Sequence, residues 1–287
     1  MKKIFTLIVI INLIGIIIGC GAGTMEVTII NNSIKNDKLQ TIKEKGVLTV
    51  ASALSDVPFY YIDPETNKIS GIDSDIVNEI AKRIGVNKVE MKKIPFSNLL
   101  EKLNTDDSID IAASGIYITP EREKLVAFTE PLYKETETVI VPKFSKINFM
   151  SDLKNAVVGA EKGTAFEELA KKWKENNIIK DIVIFENTSE LLKTIDDGKI
   201  DAGISDSAIV SNFLTKEKNP LLRTLKGYKP ELTGVIGIAV RKDQISLLNE
   251  LNKIINDMKA DGTLYAILVD NGFDKNNVVG EWWQNAD

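Results

Sequence analysis

Short apolar runs and amphipathic helical stretches take turns along this chain, and that alternation restricts its fold more than any other feature. Gly46-Val47-Leu48-Thr49-Val50-Ala51 predicts a strand. Ile72, Ile76, Ile80 and Ile84 then recur at helical spacing, with Asp73 or Ser74 as a cap and Gly85 as a stop. Val89-Glu90-Met91 predicts the next strand, Ser97 a cap for a helix that buries Leu99, Leu100 and Leu103, and residues 109–113 a further strand. A second series follows Tyr133. Strands are expected at 138–141, 156–160 and 182–185, with helices marked by Phe166, Leu169, Ala170 and Trp173, and by Leu191, Leu192 and Ile195. A strand at 235–240 and a long helix through Leu247, Leu251, Ile254 and Met258 close the pattern. Such order belongs to an α/β protein with largely parallel sheets and helices on both faces.

A chain of 287 residues suits one large or two small domains. Its net charge of −5 argues against nucleic acid, whose binders present basic patches. There is no histidine and one cysteine, which excludes a histidine base, a histidine-held metal and an internal disulfide. No cofactor is expected.

The amino terminus reads as an export signal. Lys2 and Lys3 precede an almost wholly apolar stretch, 4–18, which is shorter than the ~20 residues of a spanning helix. It ends in Ile17-Ile18-Gly19-Cys20, which resembles a bacterial lipobox. The expectation is a signal peptide over 1–19, cleavage before Cys20, and diacylglyceryl modification of its thiol. Residues 20–40, rich in Asn, Thr, Gly and Lys, are expected to form a tether to the membrane.

Chemistry concentrates between Ser114 and Tyr133. Ser114 and Gly115 follow an apolar run, where backbone N–H groups and a hydroxyl can be presented. Thr119 can cap a helix with Pro120 at its first position, which puts Arg122 on the first turn. A guanidinium beside N–H groups at a strand end is a receptor for a carboxylate. The plain alternative is a strand, a turn and a surface arginine.

Ser114-Gly115-Ile116-Tyr117-Ile118-Thr119-Pro120-Glu121-Arg122, with the later Phe128-Thr129-Glu130-Pro131-Leu132-Tyr133, resembles the signature of the extracellular solute-binding proteins, family 3. The similarity runs from about Gly46 to Phe273. The resemblance implies a two-lobed periplasmic-binding-protein type II (Venus flytrap) fold. Lobe 1 would take 41–132 and 236–287, lobe 2 would take 137–231, and hinge crossings would fall at 132–136 and 230–235. It further implies an ABC importer's receptor, expected to be monomeric, that captures a small zwitterionic solute, in first place a polar or basic amino acid, and hands it to permease subunits. The location would be the outer face of the cell membrane or the periplasm.

The same resemblance assigns the site. Arg122, helped by backbone N–H groups near Gly115 and Thr119, would hold the ligand's carboxylate, with Ser114 and Tyr117 as further candidate contacts. Asp206, in Ser205-Asp206-Ser207, would hold its ammonium group, and the loop Gly163-Thr164-Ala165 would offer N–H groups at a helix start. Asp206 is also suited to plain helix capping. In the first loop Pro58-Phe59 matches the family's pair, but Ala53 and Asp56 depart from its Asp and aromatic positions. Asp56, Phe59 and Glu161 are further candidate contacts. Tyr117 stands where many members have Ser or Thr, and resembles the branch that binds ectoine-like compatible solutes, the second ligand class. An enzyme of the cyclohexadienyl dehydratase type is the alternative from another class, with Glu161 as the acid it would need. No catalytic residue is otherwise expected.

Overall fold

The structure is a computed structural model that describes residues 37–53, 57–216 and 221–280. The expected signal peptide, Cys20 and Asp56 lie outside the described residues. So does the expected tether up to residue 36, while its last residues enter helix α1 (Lys38–Lys45).

Two sheets organise residues 38–280. The first has the order β4-β1-β5-β13-β6, built from β1 (Val47–Ser52), β4 (Lys88–Lys93), β5 (Ile111–Ala112), β6 (Ala127–Phe128) and β13 (Ala239–Val240). β1 pairs in parallel with β4 and β5, whereas β13 runs antiparallel to β5 and β6. A small hairpin, β2 (Tyr61–Ile62) and β3 (Ile69–Ser70), precedes helix α2 (Ile72–Ile84). Helices α3 (Leu99–Thr105) and α4 (Pro120–Glu123) complete the first pass through this lobe.

The second sheet has the order β11-β7-β10-β8-β9. It comprises β7 (Tyr133–Pro142), β8 (Val157–Glu161), β9 (Asp181–Phe185), β10 (Ala202–Asp206) and β11 (Leu222–Thr224). β8, β9 and β10 are parallel, and β7 is antiparallel to its neighbours. Helices α5 (Ala165–Glu175), α6 (Thr188–Asp196) and α7 (Ser207–Lys216) belong to this lobe. The chain returns through β12 (Thr233–Ile236), which pairs antiparallel with β7 from Thr233↔Thr136 to Ile236↔Tyr133. It ends in α8 (Ile245–Ala260) and α9 (Thr263–Asp270), which pack on α2. The chain therefore passes between the sheets twice, and the two crossing strands are paired with each other.

Burial follows the predicted faces. Ile72, Ile76, Ile80 and Ile84 are buried along α2, and Phe166, Leu169, Ala170 and Trp173 along α5. Three caps differ from expectation. Helix α2 starts from Gly71 without a side-chain cap, and α3 starts from Asn98 rather than Ser97. The helix after Asp206 has the N–H of Ala208 donating to Glu135 Oε2 at 3.1 Å. Asp73 is instead a buried acceptor, described below. Thr119 and Thr164 do cap α4 and α5, accepting from the N–H groups of Arg122 and Glu167 at 3.3 Å each.

Candidate functional site

Loops at the carboxyl ends of parallel strands are where open α/β sheets bind ligands. Ser114 and Gly115 follow β5, Glu161 ends β8, and Asp206 ends β10. All four are buried. The two lobes meet across these ends.

Arg122 is the bridge. Its Nη1 donates to the carbonyl of Tyr117 at 2.7 Å and its Nη2 to the carbonyl of Gly163 at 3.0 Å. The first partner is on its own lobe and the second on the other. A guanidinium carries five N–H donors, so these two carbonyls do not exhaust it. Burial pulls Arg122 down to about 10, opposed by the nearby Asp206 carboxylate. It stays charged at neutral pH. The Phe96 ring lies 5.4 Å from its guanidinium carbon, a cation–π contact.

Tyr117 links Arg122 to Asp206. Its carbonyl accepts from Arg122, and its hydroxyl donates to Asp206 Oδ1 at 3.2 Å. Its ring meets Phe166 of the second lobe edge-on, with centroids 5.6 Å apart. Burial and the surrounding Asp206, Glu135 and Glu137 push the phenol far above its usual range, so it acts as a neutral donor.

Arg122 and Gly163 together line two cavities. One, of about 480 Å³, is walled mainly by apolar residues including Phe96, Leu99, Ile116 and Leu125. The other, of about 670 Å³, includes Thr119, Thr164, Ala165, Glu168 and Glu231. Asp206 and Glu161 line neither, and Asp206 joins the constellation through Tyr117.

Several expected contacts have other partners. The Gly115 N–H donates to Asp73 Oδ2 at 2.5 Å, so it is committed inside the first lobe. Ser114 Oγ accepts from Ser52 Oγ and the Ala53 N–H, both at 3.2 Å. The N–H of Gly163 donates to Glu167 Oε2 at 2.7 Å and that of Thr164 to the Glu161 carbonyl at 3.4 Å. Two of the donors expected to be open at this helix start, those of Gly163 and Thr164, are thus taken within its own turn. Phe59 is a core residue, stacked 6.3 Å from Tyr133 and tilted against Phe273. Glu161 Oε2 accepts from Thr188 Oγ1 at 2.5 Å within the second lobe.

Other residues escaped the sequence reading. Phe96 lies beside Arg122, at the start of the short 3-10 helix Phe96–Asn98 that follows β4. Glu135 and Glu137 are buried on β7, two residues apart and therefore on one face. Glu135 accepts from Ser207 Oγ at 3.0 Å and from Ala208 N–H, and burial raises its carboxyl. Glu137 accepts from Tyr228 Oη at 2.5 Å and from the N–H groups of Glu231 and Leu232 at 2.6 and 3.0 Å. The signal was present in Tyr133-Lys134-Glu135-Thr136-Glu137-Thr138-Val139, where strict alternation puts both carboxylates on the face of Tyr133 and Val139.

Two sheets joined by a paired double crossing, with Arg122 and Asp206 linked through Tyr117 where the lobes meet, define a two-lobed type II binding protein. The comparisons narrow this class. Residues 48–270 match the model of the bacterial extracellular solute-binding proteins, family 3, and the chain belongs to that family. It is similar to the probable histidine-binding protein of Neisseria gonorrhoeae, at 33% identity over 218 residues, covering 75% of this chain and 79% of that one. It is 31% identical over 268 residues to the ABC transporter glutamine-binding protein GlnH of Bacillus subtilis, covering 91% and 94%. Among solved structures it is similar to holo ArgBP from T. maritima, with a TM-score of 0.70, 31% identity, and 82% and 99% of the chains covered. It also resembles the ancestral amino acid-binding protein AncCDT-1, a precursor of cyclohexadienyl dehydratase, with a TM-score of 0.71, 28% identity, and 82% and 98% covered.

Proposed function

We propose that this protein is the substrate-binding component of an ABC importer and that it captures an amino acid between its lobes. The observation that carries the reading is the constellation in which Arg122 of the first lobe and Asp206 of the second are joined through Tyr117. A cation and an anion set apart in one seam match the carboxylate and ammonium of a zwitterion. A ligand that touches both lobes favours the arrangement in which they meet, because only differential affinity shifts such an equilibrium. The histidine-, glutamine- and arginine-binding names of the similar proteins support the amino-acid class.

The ligand is a polar or basic amino acid. Asp206, Glu135 and Glu137 are buried carboxyl groups close enough to act on Tyr117, so negative charge surrounds that part of the seam. Such a field favours a ligand with added positive charge. The chain acts as a receptor and not as an enzyme, exported and held at the membrane by a diacylglyceryl group on Cys20, with a membrane permease as its partner.

Mass spectrometry of small molecules released from the purified protein tests the ligand class, followed by a thermal-shift panel of amino acids. An amino acid that raises the melting temperature, and raises it further as its concentration grows, supports the reading. Turnover of prephenate or arogenate, with no amino acid raising the melting temperature, would replace it with the dehydratase.

A further inference from the structure

Gly234 lies on β12, one of the two crossing strands, and its φ is outside the left-handed region that favours glycine. Any residue adopts that backbone, so the missing side chain answers a need for space. The Tyr117 ring fills the space. A Cβ on Gly234 would stand 1.6 Å from Tyr117 Cδ1 and 1.9 Å from Cε1.

The ring has no easy exit. Tyr117 forms a strand bridge with Ile236, the Ile118 N–H donates to the Val235 carbonyl at 2.9 Å, and the Gly237 N–H donates to the Ile116 carbonyl at 3.2 Å. Residues 116–118 therefore run beside the crossing strand as an added edge. Beyond the ring stand Phe166, edge-on, and Asp206, which accepts from the hydroxyl. Backbone pairing, a ring edge, a carboxylate and the Gly234 backbone hold the phenol in one place.

We propose that Gly234 and Tyr117 form one specificity-determining unit, in which Gly234 positions the ring and the ring limits how long a ligand side chain the cleft accepts beside Asp206. The proposal rests on the amino-acid reading above. A phenol takes volume that a smaller side chain at this position would leave open. Its seat is on a crossing strand, so the position of the ring follows the hinge.

A double-mutant cycle with Tyr117→Ser and Gly234→Ala in the full-length protein tests it with two readouts. In thermal unfolding, Gly234→Ala lowers the melting temperature of the parent and leaves that of the Tyr117→Ser background nearly unchanged. Contacting pairs show such non-additivity. In calorimetry, the probes are L-asparagine with L-glutamine and L-ornithine with L-lysine, each pair differing by one methylene. Tyr117→Ser shifts the affinity ratio about tenfold toward the longer member of whichever pair binds, the size of one methylene's discrimination. Gly234→Ala weakens the shorter member about tenfold in the parent and far less in the Tyr117→Ser background. Equal melting losses in both backgrounds overturn the seating, and an unchanged ratio overturns the limit on length. If none of the four probes binds the parent, the ligand half of the proposal falls, and the unfolding cycle alone then decides the seat. The amino-acid reading itself falls only if the wider panel also fails.

Discussion

Arg122 Nη2 donates to the Gly163 carbonyl at 3.0 Å, so the guanidinium offered by the first lobe rests on the backbone of the second. That carbonyl is reachable because the lobes approach closely there. A Cβ on Gly163 would stand 2.7 Å from Ser97 Cα, and Gly163 has φ +76°. Gly163→Ala therefore meets two obstacles, a left-handed backbone and a wall of first-lobe main chain. The backbone strain costs about 1–2 kcal/mol of stability. The wall opposes lobe contact, so ligand affinity falls further than stability does. Calorimetry beside thermal unfolding separates the two, and the radius of gyration by X-ray scattering should rise in the ligand-saturated variant.

Asp73 predicts a pH dependence. It is buried, with Oδ2 accepting from Gly115 N–H and Oδ1 from Tyr133 Oη at 2.8 Å. Burial raises its carboxyl to about 6, while these two donors pull the other way. A carboxyl that holds its proton more tightly in the folded chain favours folding most below its ordinary range. That contribution is lost as pH rises through about 6. The parent's melting temperature should thus carry a component that declines from about pH 4 to about pH 7. Asp73→Asn should lack it. Parallel pH profiles for parent and variant would contradict the assignment.

Glu137 organises the approach to the second crossing. It is fully buried and accepts from Tyr228 and from two backbone N–H groups, those of Glu231 and Leu232. Glu137→Ala orphans those donors, at about 1–3 kcal/mol for each that stays buried. A large drop in melting temperature is expected. The Trp173 Nε1 bond to Glu231 Oε1, 2.8 Å in the parent, would loosen with the loop. Increased Trp173 solvent exposure by fluorescence quenching checks this.

Much of the fold was legible because burial periodicity and caps are local. The isoleucine row of α2 and the Thr119-Pro120 start of α4 needed only residues within a few turns of each other. The site was harder, because its partners are distant in sequence. Pro58-Phe59 pointed to the pocket, yet the Phe59 ring turns inward to Tyr133 and Phe273, and no local pattern shows which way a loop aromatic faces. At the helix start, Glu167 takes the N–H of Gly163 and the Glu161 carbonyl that of Thr164, partners that the Gly-Thr pattern alone does not announce. Gly234 carried no signal at all, since the ring it accommodates is far away in the chain.

In the proposed function Arg122 and Asp206 grip the two ends of one zwitterion. Calorimetry of parent, Arg122→Ala and Asp206→Asn, each titrated with the amino acid released from the purified protein, tests it most directly. Arg122→Ala leaves the ligand carboxylate underpaired in a buried seam and should cost about 2–5 kcal/mol of binding. Asp206→Asn should weaken binding in the same direction. Parent-like affinity in Arg122→Ala would contradict the account.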